Sequence, residues 1–131
     1  MAKIMIMDDD VEMTGNMSTC LRNAGHTLTT ADTIQSGMEK LRKSTPDLLI
    51  LDMMFPEDPL GGLTVAKQIR HDRELASLPI ILLTGVNQHF PLSFPSDPKE
   101  DCRPIQDYIE KPVDFKELLS RVTDVLKVKV K

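Results

Sequence analysis

The sequence predicts a three-layer α/β domain, a parallel sheet covered by helices on both sides, and three observations carry that reading. Leu48–Leu51 and "PIILLTG" from Pro79 are continuous aliphatic runs of the kind found in strands buried on both faces, which belong to parallel sheets. Segments with helical spacing alternate with the apolar runs along the chain. The first, third, fourth and fifth runs stop at a residue able to do chemistry, on the edge of such a sheet where ligands bind.

The elements follow in order. Lys3 to Met7 is a short apolar run, a first strand. "VEMTGNMSTCLRNA" then sets Met13, Met17, Cys20, Leu21 and Ala24 on one helical face, closed by Gly25. His26 to Ala31 alternates, as in a more exposed strand, and Thr33 to Lys43 carries Ile34, Met38 and Leu41 at helical spacing before Pro46 stops it. Leu48 to Leu51 is the central strand. Leu63 to His71 is the third helix, with Ala66 and Ile69 inward, and the run after Pro79 is the fourth strand. Between Gly85 and Pro104 four prolines (Pro91, Pro95, Pro98 and Pro104) forbid a long regular helix, so the fourth helix is expected to be short or replaced by a Pro-rich loop. "DYIEKP" is a brief fifth strand. In "DFKELLSRVTDVL", Asp114 and Glu117 form a capping pair, and Phe115, Leu118, Leu119, Val122, Val125 and Leu126 form one apolar stripe. Right-handed crossovers join the five strands. Residues 1–131 read as one domain, with 127–131 a frayed tail or the stub of a connection.

Composition narrows the function classes. The 131 residues can bury a core without disulfides or a structural metal, and with 4% aromatics and eight methionines that core must be aliphatic and methionine-rich. Net charge is −4 and there is no basic stripe to neutralise phosphates, which argues against direct nucleic-acid binding. No apolar run approaches membrane-spanning length and none resembles a signal-peptide core, so the chain is expected to be cytoplasmic. Cys20 and Cys102 lack CxxC spacing and read as ordinary thiols, and His26, His71 and His89 as surface residues.

The strand ends concentrate the chemistry. The first strand ends in Asp8, Asp9 and Asp10, the third in Asp52, the fourth in Thr84 and the fifth in Lys111. Carboxylates crowded on one edge repel unless a cation sits among them, and hard oxygen ligands favour Mg²⁺. Lys111 supplies further positive charge. Such a site suits phosphoryl transfer to a carboxylate: Asp52 is the nucleophile and acceptor, while Thr84 offers a hydroxyl to the product phosphoryl group. Asp10 has a second reading, as the cap of the first helix. Thr84 can also be an ordinary strand residue and Tyr108 a core aromatic. Phe90 and Phe94 either fill the groove of the missing helix or form a docking loop or flap.

In "IMIMDDD", "LLILDMMFP", "ILLTG" and "YIEKP", taken in that order, the chain resembles a response-regulator receiver domain over essentially its full length. The resemblance implies a flavodoxin-like sheet of strand order 2-1-3-4-5. It implies Mg²⁺ (or Mn²⁺) held by Asp8, Asp9, Asp52 and the backbone carbonyl of Met54, with Asp9 the more direct ligand and Asp8 acting partly through water. Asp52 matches the phosphorylated residue, Thr84 and Tyr108 the switch pair, and Lys111 the phosphate-binding lysine, whose bond to Pro112 is cis in the family. The implied partners are a histidine kinase or histidine phosphotransfer protein and a downstream protein or detached output domain. Self-phosphorylation and autodephosphorylation are implied, not turnover of external substrates.

Two departures stand out. The loop after Pro56, "EDPLGG", is about two residues longer than usual before its glycine, and the stretch from Thr84 to Lys111 is also longer. The altered fourth-helix region puts the common dimer face in question and leaves a competing class open, a scaffold or sequestering module that keeps the fold without phosphate regulation. A phosphatase with an aspartyl nucleophile ranks last, because the general acid such enzymes commonly carry two residues on is replaced by Met54.

Overall fold

A computed structural model of the chain describes residues 2–56, 61–84, 107–111 and 113–129. The expectations for the Pro-rich stretch 85–104, Phe90, Phe94, His89, Cys102, the long loop 57–60 and the Lys111–Pro112 bond lie outside the described residues.

The elements are β1 (Lys3–Met7), α1 (Val11–Asn23), β2 (Thr27–Ala31), α2 (Ile34–Lys43), β3 (Leu48–Asp52), α3 (Gly61–His71), β4 (Ile80–Thr84), β5 (Asp107–Glu110) and α4 (Phe115–Lys129). The five strands form one sheet in the order β2-β1-β3-β4-β5, every adjacent pair parallel. This is the flavodoxin-like arrangement.

Strand alternation divides the core in two. Ile4 and Ile6 of β1, Leu48 and Ile50 of β3, and Ile81 and Leu83 of β4 face Met17 and Leu21 of α1 and Leu118 and Val122 of α4. The alternate residues, Met5, Met7, Leu49, Leu51, Ile80 and Leu82, face Met38 and Leu41 of α2 and Val65, Ala66 and Ile69 of α3. The unbroken runs in β3 and β4 follow directly, since both faces of these strands are covered and all ten residues are buried. Each fully buried Leu or Ile contributes roughly 1.5–3 kcal/mol. Methionines 5, 7, 17, 38 and 53 lie inside, as the scarcity of aromatics requires.

Local signals set the helix ends. The Asp10 carboxylate accepts from Met13 N at 3.0 Å and caps α1, and Thr33 Oγ1 accepts from Ser36 N at 3.1 Å and caps α2. Gly25, with φ of 98°, turns the chain out of α1 where a side chain would be strained. The α4 helix runs on through residues 127–129. One expectation is corrected. Phe115 does not join the buried stripe and is 41% exposed, because the first turn of α4 stands at the carboxyl rim of the sheet, past the strands that cover its later turns.

Candidate functional site

The sheet register brings the acids together. Met7 pairs with Leu51, so the next residues, Asp8 and Asp52, stand side by side at the ends of β1 and β3. Both continue the alternation of Ile4–Ile6 and Leu48–Ile50, which sends them to the side of the sheet covered by α1 and α4. On the other flank Asp52 pairs with Leu83, and Thr84 pairs with Glu110, so Lys111 arrives one step past β5. Its backbone N–H donates to Thr84 O at 2.6 Å. The Lys111 ammonium then lies 3.1 Å from Asp52 Oδ1 and 3.4 Å from Asp8 Oδ2. Asp52 and Asp8 are 4% and 1% exposed. The aliphatic run therefore ends in a buried carboxylate because a lysine pairs with it.

The neighbouring backbone fixes these groups. Asp8 N donates to Ala31 O at 3.0 Å, and Asp8 Oδ1 accepts from Asp10 N at 2.9 Å. After Asp52, Met53 is held on both sides: its N–H donates to Leu83 O at 2.9 Å and its carbonyl accepts from Gly62 N at 2.8 Å. Asp9 is exposed, yet Asp8, Asp9 and Asp52 each offer a carboxylate oxygen within 4.8 Å of the other two.

Charge crowding shows in the titration of the site. Burial, and after it the negative charge of Asp8, push Asp52 up to about 7 against the opposing pull of Lys111. Burial likewise raises Asp8, only partly offset by the Asp10 N–H and Lys111. Burial alone would lower Lys111, but the charges of Asp52 and Asp8 outweigh it and hold the ammonium above its ordinary value. A carboxyl with a raised native pKa binds its proton more tightly in the folded than in the unfolded chain. Stability is therefore greatest at low pH in this window and is lost as pH rises from the ordinary 3.8 through about 7. Chemical denaturation of the metal-free protein at about pH 5 and about pH 8 should give the lower unfolding free energy at the higher pH. Added Mg²⁺ should reverse that order, since only the ionised carboxylates bind it.

The donor set fits a hard divalent cation. Three carboxylates face one ammonium, every ligand atom is oxygen, and Asp8 Oδ2 is buried without a well-formed hydrogen bond, its nearest partner being the ammonium at 3.4 Å. Asp10 is not in this cluster; its carboxylate is spent on the α1 cap. Thr84 is 1% exposed at the end of β4 on the same edge. Tyr108 is 43% exposed on β5, so it is not a core aromatic. Met54, two residues past Asp52, is 47% exposed. Gly62 touches the acceptor backbone, and its one local signal in the sequence is the paired glycine that ends "EDPLGG", a pattern that marks a loop end and not a contact with the acceptor.

A family model described as "Response regulator receiver domain" matches residues 4–123. The chain belongs to this family. The receiver is 32% identical over 127 residues to the "DNA-binding dual master transcriptional regulator RpaA" of Synechocystis, an alignment covering 97% of this chain and 50% of that protein. It is 29% identical to "Protein PilH" of Pseudomonas aeruginosa, covering 96% of this chain and 98% of PilH. The receiver thus spans half of one relative and nearly all of another. Among solved structures, a putative response regulator from Chloroflexus aurantiacus superposes with a TM-score of 0.78 at 27% identity, covering 96% of this chain and 98% of that one. Among the described residues, no helix is long and apolar enough to cross a membrane.

Proposed function

We propose that this receiver is a phosphoacceptor in two-component signalling, taking a phosphoryl group onto Asp52 from a phosphohistidine on a histidine kinase or phosphotransfer protein. The observation that carries this reading is the Lys111 ammonium 3.1 Å from Asp52 inside a cluster of three convergent carboxylates. An Asp52 oxygen attacks phosphorus, the phosphorus–nitrogen bond of the donor breaks, and the imidazole leaves with the bonding pair and takes a proton. Lys111 follows the charge onto the phosphoryl oxygens, and Thr84 supplies a hydroxyl at the same edge. Asp8, Asp9, Asp52 and the Met54 carbonyl would hold Mg²⁺ (or Mn²⁺), which when bound neutralises charge on the transferring group.

The surroundings suit a protein donor. Val11, Met54 and Phe115 are large apolar side chains left exposed at the carboxyl rim that carries Asp8–Asp10, Asp52 and Lys111. Tyr108, exposed beside the β4 edge, serves with Thr84 as the switch pair that reads phosphorylation out to a downstream protein or output domain. The receiver acts on itself alone, through self-phosphorylation and autodephosphorylation, and works in the cytoplasm without contacting nucleic acid.

Incubation with acetyl phosphate or phosphoramidate, with and without Mg²⁺, tests this by intact mass. A base-labile, Mg²⁺-dependent gain of one phosphoryl group is expected. In Asp9→Ala, Mg²⁺ affinity should drop by about 10–100-fold, with uptake partly recovered at high Mg²⁺. A folded protein that gains no mass from any donor, a compatible histidine kinase included, would make it a phosphate-independent scaffold.

A further inference from the structure

We infer that Gly62 is a positioning residue for the acceptor, and that its missing side chain lets the first turn of α3 set the geometry of the Asp52–Met54 segment. This inference rests on the phosphoacceptor reading. A Cβ built on Gly62 falls inside contact distance of the Asp52 carbonyl oxygen, 2.6 Å from Met53 Cα and 3.0 Å from the Asp52 carbonyl carbon. All three are backbone atoms and cannot swing aside. The other described glycines of the helix interiors differ: at Gly15 a Cβ meets nothing within 4 Å, and at Gly37 the nearest atoms it meets all belong to the flexible Met7 side chain, not to backbone.

The contact is also bonded. Gly62 N donates to Met53 O at 2.8 Å while Met53 N donates to Leu83 O at 2.9 Å, so the residue after the acceptor is clamped between α3 and β4 through both of its flanking peptides. The Met53 carbonyl held against α3 sets the plane of the 53–54 peptide, from which the Met54 carbonyl follows one residue on. Any side chain at 62 must push α3 and the acceptor backbone apart. A displacement near 1 Å at a reacting group can cost about 10²-fold in rate, and loss of a supporting contact typically costs about 10–100-fold in metal affinity.

The test compares Gly62→Ala with Ile69→Val, which thins the core contact of the same helix away from the site. Mg²⁺ titration of each folded protein should show affinity at least about tenfold weaker in Gly62→Ala and within about twofold of the parent in Ile69→Val. Phosphoryl uptake at saturating Mg²⁺ should also fall in Gly62→Ala, which separates lost alignment from lost metal. Gly62→Ala with parental Mg²⁺ affinity and uptake overturns the inference, as does an equal loss of affinity in Ile69→Val. If the parent itself takes up no phosphoryl group, the phosphoacceptor reading fails instead. If Gly62→Ala does not fold, hydrogen exchange of the Gly62 amide in the parent decides: slowing on Mg²⁺ saturation supports the clamp, and unchanged exchange with metal bound overturns it.

Discussion

Asp52→Asn is expected to gain no phosphoryl mass from acetyl phosphate at any Mg²⁺ concentration, while the parent is modified under the same conditions. Asn lacks the anionic oxygen that must attack phosphorus, and no other described carboxylate stands where Lys111 can follow the transfer in the same way. Asp8 also contacts the ammonium, but one of its oxygens already accepts from Asp10 N and the group is 1% exposed. The same variant should gain stability. Asp52 holds its negative charge reluctantly, pushed up to about 7 by burial and by Asp8, so at pH 8 the metal-free fold carries that strain. A neutral amide of the same shape removes it and leaves Lys111 paired with Asp8. The metal-free variant should unfold at higher denaturant than the parent at pH 8, by about 1–3 kcal/mol, and the fall in stability with rising pH should flatten. A variant that still forms a stable phosphoprotein would dislodge Asp52 as the acceptor. One destabilised at pH 8 would show that the Lys111 pairing outweighs the crowding.

Opposite signs for function and stability at one residue explain why the site could be found from sequence. A buried aspartate closing an aliphatic strand is locally unfavourable, and local rules fail most often where function demands it. The same logic marked the acids after "IMIM" and the lysine after "YIE". The continuous apolar runs of β3 and β4 marked a parallel sheet covered on both faces, while the strand order 2-1-3-4-5 was legible only through the family resemblance. Three things were less legible. Asp10 could be a ligand or a cap from spacing alone, and only the 3.0 Å bond from Met13 N assigns it to the helix. Phe115 has the right spacing for the core stripe, but spacing does not tell where the sheet ends beneath a helix. Gly62 was hidden for a different reason: its importance lies in an approach of α3 to the acceptor backbone, a tertiary distance that no local pattern encodes.

Lys111→Ala should separate metal binding from transfer. Its ammonium lies 3.1 Å from Asp52 and 3.4 Å from Asp8, so it competes with Mg²⁺ for the same negative charge. Removing it takes away a repelling cation, and Mg²⁺ affinity at pH 8 should rise or stay level. Phosphoryl uptake should nevertheless fall by about 10²–10³-fold, the typical cost of deleting one prearranged charge partner of a transferring group. The backbone anchor survives, because Lys111 N donates to Thr84 O through the main chain, which alanine keeps. The metal-free variant should lose stability, since two buried carboxylates are left facing each other, and Mg²⁺ should restore much of it. Lys111→Arg keeps the charge but replaces a compact ammonium with a wide planar group, and should recover only part of the rate. Titrating Mg²⁺ by calorimetry and following uptake by intact mass on the same preparations gives both quantities. Weakened Mg²⁺ binding in Lys111→Ala would mean that the lysine organises the carboxylates more than it opposes the metal, and its part in transfer would then have to be read through the metal site.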